Sequence, residues 1–431
     1  MIRILKLGEM PKEEILKREL PTVRAEKAVA EILYDVRERG DEAVLAYTEK
    51  FDGVSLPSLE VSKDEILAAV EEVGPGFMGL LSRAAANIRE FHEKQLRTGF
   101  FYTRENGVVL GQRVVPLDRA GVYVPGGTAP LSSTVLMDVI PARIAGCREV
   151  ILATPPRKDG KVAPEVLAAA YVAGADRVFR IGGAQAIAAM AYGTGTVPRV
   201  DKIVGPGNAY VTEAKRQVYG TVAVDMIAGP SEILVVSDGG SDPRVLAADL
   251  LSQAEHDVNA SAVLITDCPS LAEETAQEIE RQLPLLSRED IARASIEQNG
   301  KIIVTDSLEE ALELSNELAP EHLELAVDDP FSLLGRVRHA GSVFLGRNTP
   351  EALGDYMAGP NHTLPTGGTA RFSSPLSVDD FVKKIQVTGF TAEALDAVRQ
   401  DVADFAAAEG LTGHARSALI RGEISREEND R

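Results

Sequence analysis

The chain has 431 residues, with 45 Lys and Arg against 65 Asp and Glu, a net charge of −20, two cysteines and no tryptophan. At roughly 100–200 residues per domain the length predicts two or three domains, and 45% hydrophobic with 26% charged residues is the balance of a folded globular protein, neither disordered nor coiled coil. The acidic excess argues against nucleic-acid partners, and Cys147 and Cys268 are too few for a disulfide framework or a thiolate zinc cluster, which predicts a reducing, cytoplasmic setting.

No membrane partner is expected either. One of the longest uncharged runs, 181–198, carries four Gly, Gln185 and two Thr and is too polar to span a bilayer. The first residues, MIRILKLGEMPKEE, lack the apolar block of an export signal.

Residues 1–120 read as mostly helical, with amphipathic stretches at 22–40, 41–51, 63–73 and 79–98. The only histidine of that region, His92, reads as a surface or packing residue. From Ala120 short apolar runs alternate with helical ones. Strands are predicted at 122–124, 149–153, 177–181 and 202–204, with helices at 133–145, 164–173, 184–192 and 208–218. A second series follows, with strands at 233–237, 261–266, 301–305, 322–327 and 342–346 and helices near 243–256, 269–283, 307–318 and 330–339. Residues 350–376 are rich in Gly and Pro and read as irregular; 378–420 read as helical, ahead of a charged, frayed tail. Such alternation implies parallel sheets covered on both faces. The expected fold class is α/β: two doubly wound Rossmann-like parallel-sheet domains in series, with helical N-terminal and C-terminal extensions.

Three glycine-rich turns follow strands and open helices, at 124–127 (VPGG), 181–185 (IGGAQ) and 204–210 (VGPGNAY). Glycine permits close approach of a ligand, and a helix N-terminus favours anionic groups. None has the G-x-G-x-x-G spacing of the common dinucleotide fingerprint. Tyr123, Gln185 and Asn208 are the polar residues beside these turns.

The histidines carry the other signal. Gln253 and His256 lie three apart on an expected helix and so share a face. Asp355 and His362 sit in the Gly-rich loop, and Glu409 and His414 bracket a Gly-rich break near the C-terminus. A set of His and Asp ligands from separated segments suits a divalent ion such as zinc, provided the fold brings them together. Glu321 and His322 open a strand after Pro320. That imidazole could serve as a general base with Glu321 as second base or orienter, if the proline turn splays two residues that a regular strand would point apart. Both cysteines read as small buried residues and not as nucleophiles.

Taken together, GPGNAYVTEAK (205–215), DMIAGPSEILV (225–235), DLLSQAEHD (249–257), APEHLE (319–324), GDYMAGPNHTLPTGGTARFSS (354–374) and EGLTGHA (409–415) closely resemble the histidinol dehydrogenase family, over most of the chain and in order. The resemblance implies oxidation of L-histidinol through L-histidinal to L-histidine with two NAD and one zinc ion per subunit. It implies Gln253, His256, Asp355 and His414 as metal ligands and Glu321 and His322 as the catalytic pair. Ser231, Gln253, His256, His322, Asp355, Glu409 and His414 would surround the substrate, Tyr123, Gln185 and Asn208 the NAD, and His362 would support them. It further implies a homodimer in which the C-terminal segment reaches into the partner's site. The corresponding domain division is 1–22 as a helical extension, 23–122 with 233–376 as a discontinuous domain carrying zinc and the acid–base pair, 123–232 as the NAD domain, and 377–431 as the extension to the partner. A zinc-dependent hydrolase of a small amine or amide is the competing reading, since His, Asp, Glu and zinc also make a hydrolytic site.

Overall fold

Apolar runs such as Val150-Ile151-Leu152 and Ile233-Leu234-Val235 bury both faces of a strand, and that is the signature of a parallel sheet with helices on either side. A computed structural model, describing residues 1–9, 11–16, 25–126 and 130–429, contains two such sheets. The chain divides into two units, Met1–Gln95 with Leu117–Phe381, and Leu96–Pro116 with Val382–Arg431.

In the first unit a five-stranded sheet runs in the order Arg177–Arg180, Glu149–Thr154, Arg119–Tyr123, Lys202–Val204, Ala223–Val224, every pairing parallel. Successive side chains alternate between two cores. Val122, Val150 and Leu152 face helices Ser132–Ala145 and Pro164–Ala173, whereas Tyr123, Ile151 and Ala153 face helices Gly183–Tyr192 and Ala209–Val218. The second sheet is six-stranded and parallel, in the order Arg3–Lys6, Lys301–Val304, Ser261–Thr266, Glu232–Ser237, His322–Ala326, Ser342–Leu345. It too carries a helical layer on each face. The two doubly wound sheets expected from the sequence are therefore present.

Several boundaries differ. Arg3–Lys6 is not helical: it is an edge strand paired with Lys301–Val304, and among the described residues of the expected extension the helix is the short Lys12–Leu16. Residues 17–22, and the start of the helix expected at 22–40, fall outside the described residues, as does Gly127. Helices Glu26–Arg39, Asp41–Asp52 and Lys63–Glu93 pack on the two faces of the five-stranded sheet. Ser62 and Glu65 form a capping box at the start of Lys63–Glu93, and Gly74 breaks that helix with φ 73, at the gap expected between two helices. Helix Glu289–Asn299 was not anticipated.

The second unit is built on a three-stranded antiparallel sheet, Val382–Gly389 with Val109–Pro116 with Phe100–Thr103, followed by helices Ala392–Asp396, Arg399–Ala408 and Thr412–Asn429. Reading 1–120 as mostly helical and 378–420 as helical misses these strands. Their partners lie far apart in sequence, and runs such as VKKIQVTG are only half-sided apolar, so short-range periodicity does not separate them from helix. No helix among the described residues is long and apolar enough to cross a membrane.

Candidate active site

Glu321 and His322 stand at the amino edge of the six-stranded sheet. Ala319 adopts a left-handed backbone, φ 47, the one non-glycine residue with positive φ among those described, a conformation disfavoured for a residue with a Cβ. That turn, with Pro320, lets Glu321 and His322 act on one side: Glu321 Oε2 is 3.6 Å from His322 Nδ1, both side chains being buried. Glu321 Oε2 accepts the backbone N–H of Glu232 at 2.7 Å, and His322 Nδ1 lies 2.9 Å from the Glu232 carbonyl oxygen. A carbonyl can only accept, so Nδ1 carries the proton and donates, leaving Nε2 with its lone pair. Burial pulls the His322 pKa down to about 4 against the smaller upward pull of Asp355. The imidazole is neutral at neutral pH. Burial pushes the Glu321 carboxyl well above its usual range, and the acidic groups Glu232, Asp355 and Glu351 add to the rise.

His322, Glu351 and Asp355 offer ligand atoms within 4.8 Å of one another, and Glu351 Oε1 is 3.8 Å from His322 Nε2. Asp355 lies on the short helix Glu351–Tyr356 and not in an irregular loop; His362 comes back to it, Nδ1 to Oδ1 at 3.2 Å, while His362 Nε2 is 3.2 Å from Thr134 Oγ1. Burial would raise the Asp355 pKa, but the hydrogen bond from His362 and the charges of His362, His322 and His256 bring it down to about 2. Glu351 is moved the other way, to about 8, by burial first and then by Asp355. Two carboxyls one helical turn apart thus divide into an anion and an acid. Glu324, also buried, accepts the Glu351 backbone N–H at 2.7 Å. A cavity of about 300 Å³ opens on this cluster, lined by His322, Phe344, Gly354, Asn361 and His362 among others. His92 is a packing residue: fully buried, its Nε2 is 3.4 Å from the amide nitrogen of Asn361, beside His362.

Gln253 is buried with Oε1 unpartnered. His256 is exposed and follows the end of helix Pro243–Ala254, so the shared helical face expected for this pair is not formed. His256 is still close enough for its charge to act on both His322 and Asp355. Ser231, half-buried, precedes the strand Glu232–Ser237 at the same amino edge. Glu409 and His414 are exposed residues of the second unit, at the end of helix Arg399–Ala408 and in the first turn of Thr412–Asn429.

The glycine turns occupy the carboxyl edge of the five-stranded sheet, where open α/β sheets bind ligands. The Tyr123 hydroxyl accepts the N–H of Gly183 at 3.1 Å, and burial pushes its pKa up to about 12. Gln185 is buried and its Oε1 unpartnered. The Asn208 side chain caps helix Ala209–Val218, accepting from the N–H groups of Tyr210 and Val211. Two of the three expected cofactor residues therefore also have structural tasks. Loop 361–366, next to His362, bonds to residues outside it: the Thr363 hydroxyl donates to Asp138 Oδ1 at 2.7 Å, and Thr366 Oγ1 accepts the Gly229 N–H.

Sequence reasoning missed Glu351, Glu232 and Glu324. Glu351 stands four residues before Asp355, so helical spacing places both on one face; that signal was present but hidden by reading the segment as loop. Cys147 is buried as expected, whereas Cys268 is only half-buried.

Paired doubly wound sheets, with glycine turns at one edge and a buried histidine among carboxyls beside a cavity at another, define an α/β protein with a polar cleft. The family model for histidinol dehydrogenase matches residues 16–422, and the chain belongs to that family. It is similar to the histidinol dehydrogenases of Geobacillus kaustophilus, 54% identical over 400 residues covering 93% of this chain and 94% of that one, and of Syntrophotalea carbinolica, 54% over 409 residues covering 94% and 95%. Its fold matches the crystal structure of histidinol dehydrogenase from Elizabethkingia anophelis with a TM-score of 0.93, at 38% identity over 99% of both chains. The family's enzymes are oxidoreductases, and so is this protein.

Proposed function

We propose that the protein oxidises L-histidinol through L-histidinal to L-histidine, reducing two NAD, with one zinc ion per subunit, as a cytoplasmic homodimer. The observation that carries the reading is the cluster itself: the free Nε2 of His322, the Asp355 anion and the Glu351 acid within 4.8 Å, with Glu321 beside them.

The residues present fit a metal. Gln253 Oε1 is a buried acceptor without a partner, and a nitrogen and oxygen donor set with no thiolate suits a borderline divalent ion. Gln253, His256 and Asp355 would hold zinc together with His414, which we assign to a second copy of the chain along with Glu409. When bound, zinc supplies a template for the imidazole and amine of the substrate. Support for the second copy comes from the apolar side chains left exposed on the second unit, among them Phe100, Phe101, Phe390 and Phe405. For NAD, the buried unpartnered Oε1 of Gln185 and the amide nitrogen of the capping Asn208 supply an acceptor and a donor at the glycine edge. NAD, when bound there, accepts a hydride in each oxidation.

The chain's own residues then account for the protons. His322 Nε2 takes the hydroxyl proton of the alcohol as the carbinol carbon gives up its hydride, and the Glu232 carbonyl steadies the resulting imidazolium through Nδ1. Glu321, raised in basicity by burial, takes a proton from the water that adds to the aldehyde before the second oxidation. His362 holds Asp355 in place and keeps it ionised.

The test is NADH formation from L-histidinol and NAD, before and after a chelator and with zinc restored. Two NADH per histidinol, lost on chelation and regained with zinc, is the expected result. One NADH would remove the Glu321 step, and none from folded, zinc-loaded protein would remove the reading.

A further inference from the structure

Beneath the turn at 205–207 lies an ion pair that the reaction does not use. Lys215, on helix Ala209–Val218, donates from Nζ to the Gly205 carbonyl at 2.7 Å and to Asp225 Oδ1. Asp225 Oδ2 accepts the Gly205 N–H at 2.8 Å, and its Oδ1 also accepts the N–H of Met226 at 2.7 Å. Both hydrogen-bonding groups of one glycine are thus gripped by one pair, whose side chains are only 3% and 1% exposed. From the other side the turn is pressed on the end of a strand. Gly205 has φ 110, and a Cβ there would lie 2.0 Å from the Tyr123 carbonyl oxygen and 3.1 Å from Asp138 Oδ2.

Neither flanking element needs such a pair in order to form. The helix has its Asn208 cap, and strand Ala223–Val224 has its ladder to Lys202 and Ile203. A buried ion pair is also a poor source of net stability, because desolvation offsets the attraction. What the pair does determine is where the backbone of Gly205 stands, and hence where Asn208, three residues on, is presented. We infer that Lys215 and Asp225 are positioning residues for the dinucleotide: buried beyond its reach, they hold the 205–208 turn in the geometry that binds it. The inference rests on the assignment of NAD to this edge.

The experiment uses full-length, zinc-loaded protein and NADH as the probe, followed by fluorescence titration, with KM measured separately for NAD and L-histidinol. Lys215→Met alone leaves a buried carboxylate without its counter-charge, which is strongly destabilising. The decisive variant is therefore the charge-balanced Lys215→Met with Asp225→Asn, its folding checked by thermal unfolding. We expect NADH to bind about ten-fold more weakly or worse, the loss of charge-assisted hydrogen bonds that order the site, and KM for NAD to rise in step. KM for L-histidinol and the zinc content should stay within about two-fold. Unchanged NADH affinity, or parallel losses in histidinol KM and zinc, would make the pair merely structural and overturn the inference. A wild type that binds no NADH would instead remove the cofactor assignment on which it stands.

Discussion

His322 Nδ1 stands 2.9 Å from the carbonyl oxygen of Glu232, and that contact decides which ring nitrogen is the base. With the proton held at Nδ1, Nε2 faces Glu351 and Asp355 as an unprotonated nitrogen. His322→Asn should lower turnover by about two orders of magnitude or more, the usual contribution of a general base, while zinc content and NADH binding persist. Steady-state kinetics with metal analysis checks this; a wild-type rate would take His322 out of the mechanism.

Glu321 keeps one oxygen on the Glu232 N–H, and glutamine can make the same contact. Glu321→Gln should therefore fold, and should lose the second oxidation more than the first. Oxidation of supplied L-histidinal is expected to slow by about two orders of magnitude. Single-turnover oxidation of L-histidinol should fall much less. Equal losses in both steps would assign Glu321 to orientation alone.

The Glu351 carboxyl is moved from its usual 4.5 to about 8 by burial and by Asp355. A carboxyl raised in the folded state contributes its full stability below 4.5 and loses it as pH rises through 8. His322, pulled down from 6.5 to about 4, is half-charged in the unfolded chain at pH 6.5, so its opposing slope is at most half that of Glu351 and fades as pH rises. Metal-free protein should accordingly lose stability between pH 6.5 and 8, on the order of a few kcal/mol at most, and Glu351→Gln should flatten the profile. Zinc should raise Tm more at pH 8 than at pH 6.5, because its ligands must be deprotonated. Thermal unfolding with and without chelator decides; a rising metal-free Tm over that window would contradict the assignment.

Sites shared between copies would be complementary. Co-expressed His322→Asn and His414→Asn chains, each inactive alone, should recover up to about a quarter of wild-type activity, since random pairing makes half the dimers mixed and each of those has one intact site. No recovery from demonstrably mixed dimers would place Glu409 and His414 in their own subunit's site.

Cys147→Ser and Cys268→Ser should each retain activity within about two-fold. The Cys147 thiol is buried and pushed up to about 11, so it holds almost no thiolate at neutral pH. Loss of the second oxidation in either variant would reopen a thiohemiacetal route.

Much of the architecture was legible locally. Continuous apolar strands such as ILVV at 233–236 and amphipathic helices between them announce doubly wound sheets, because burial on both faces leaves that pattern in the residues themselves. The pairing of Glu321 with His322 and the glycine turns were equally visible, being adjacent in sequence. Glu232 and Glu351 were not: 90 and 29 residues from His322, they acquire meaning only when parallel strands align Ile233 with His322 and a six-residue helix turns Glu351 and Asp355 inward. Strand Val382–Gly389 was hidden for the same reason, since its partner Val109–Pro116 lies far away along the chain. Which residues could do chemistry was written in the sequence. Which nitrogen is free, which carboxyl is charged and which glycine is clamped were decided by tertiary contacts, because burial and hydrogen bonding set those properties and neither exists before the chain folds.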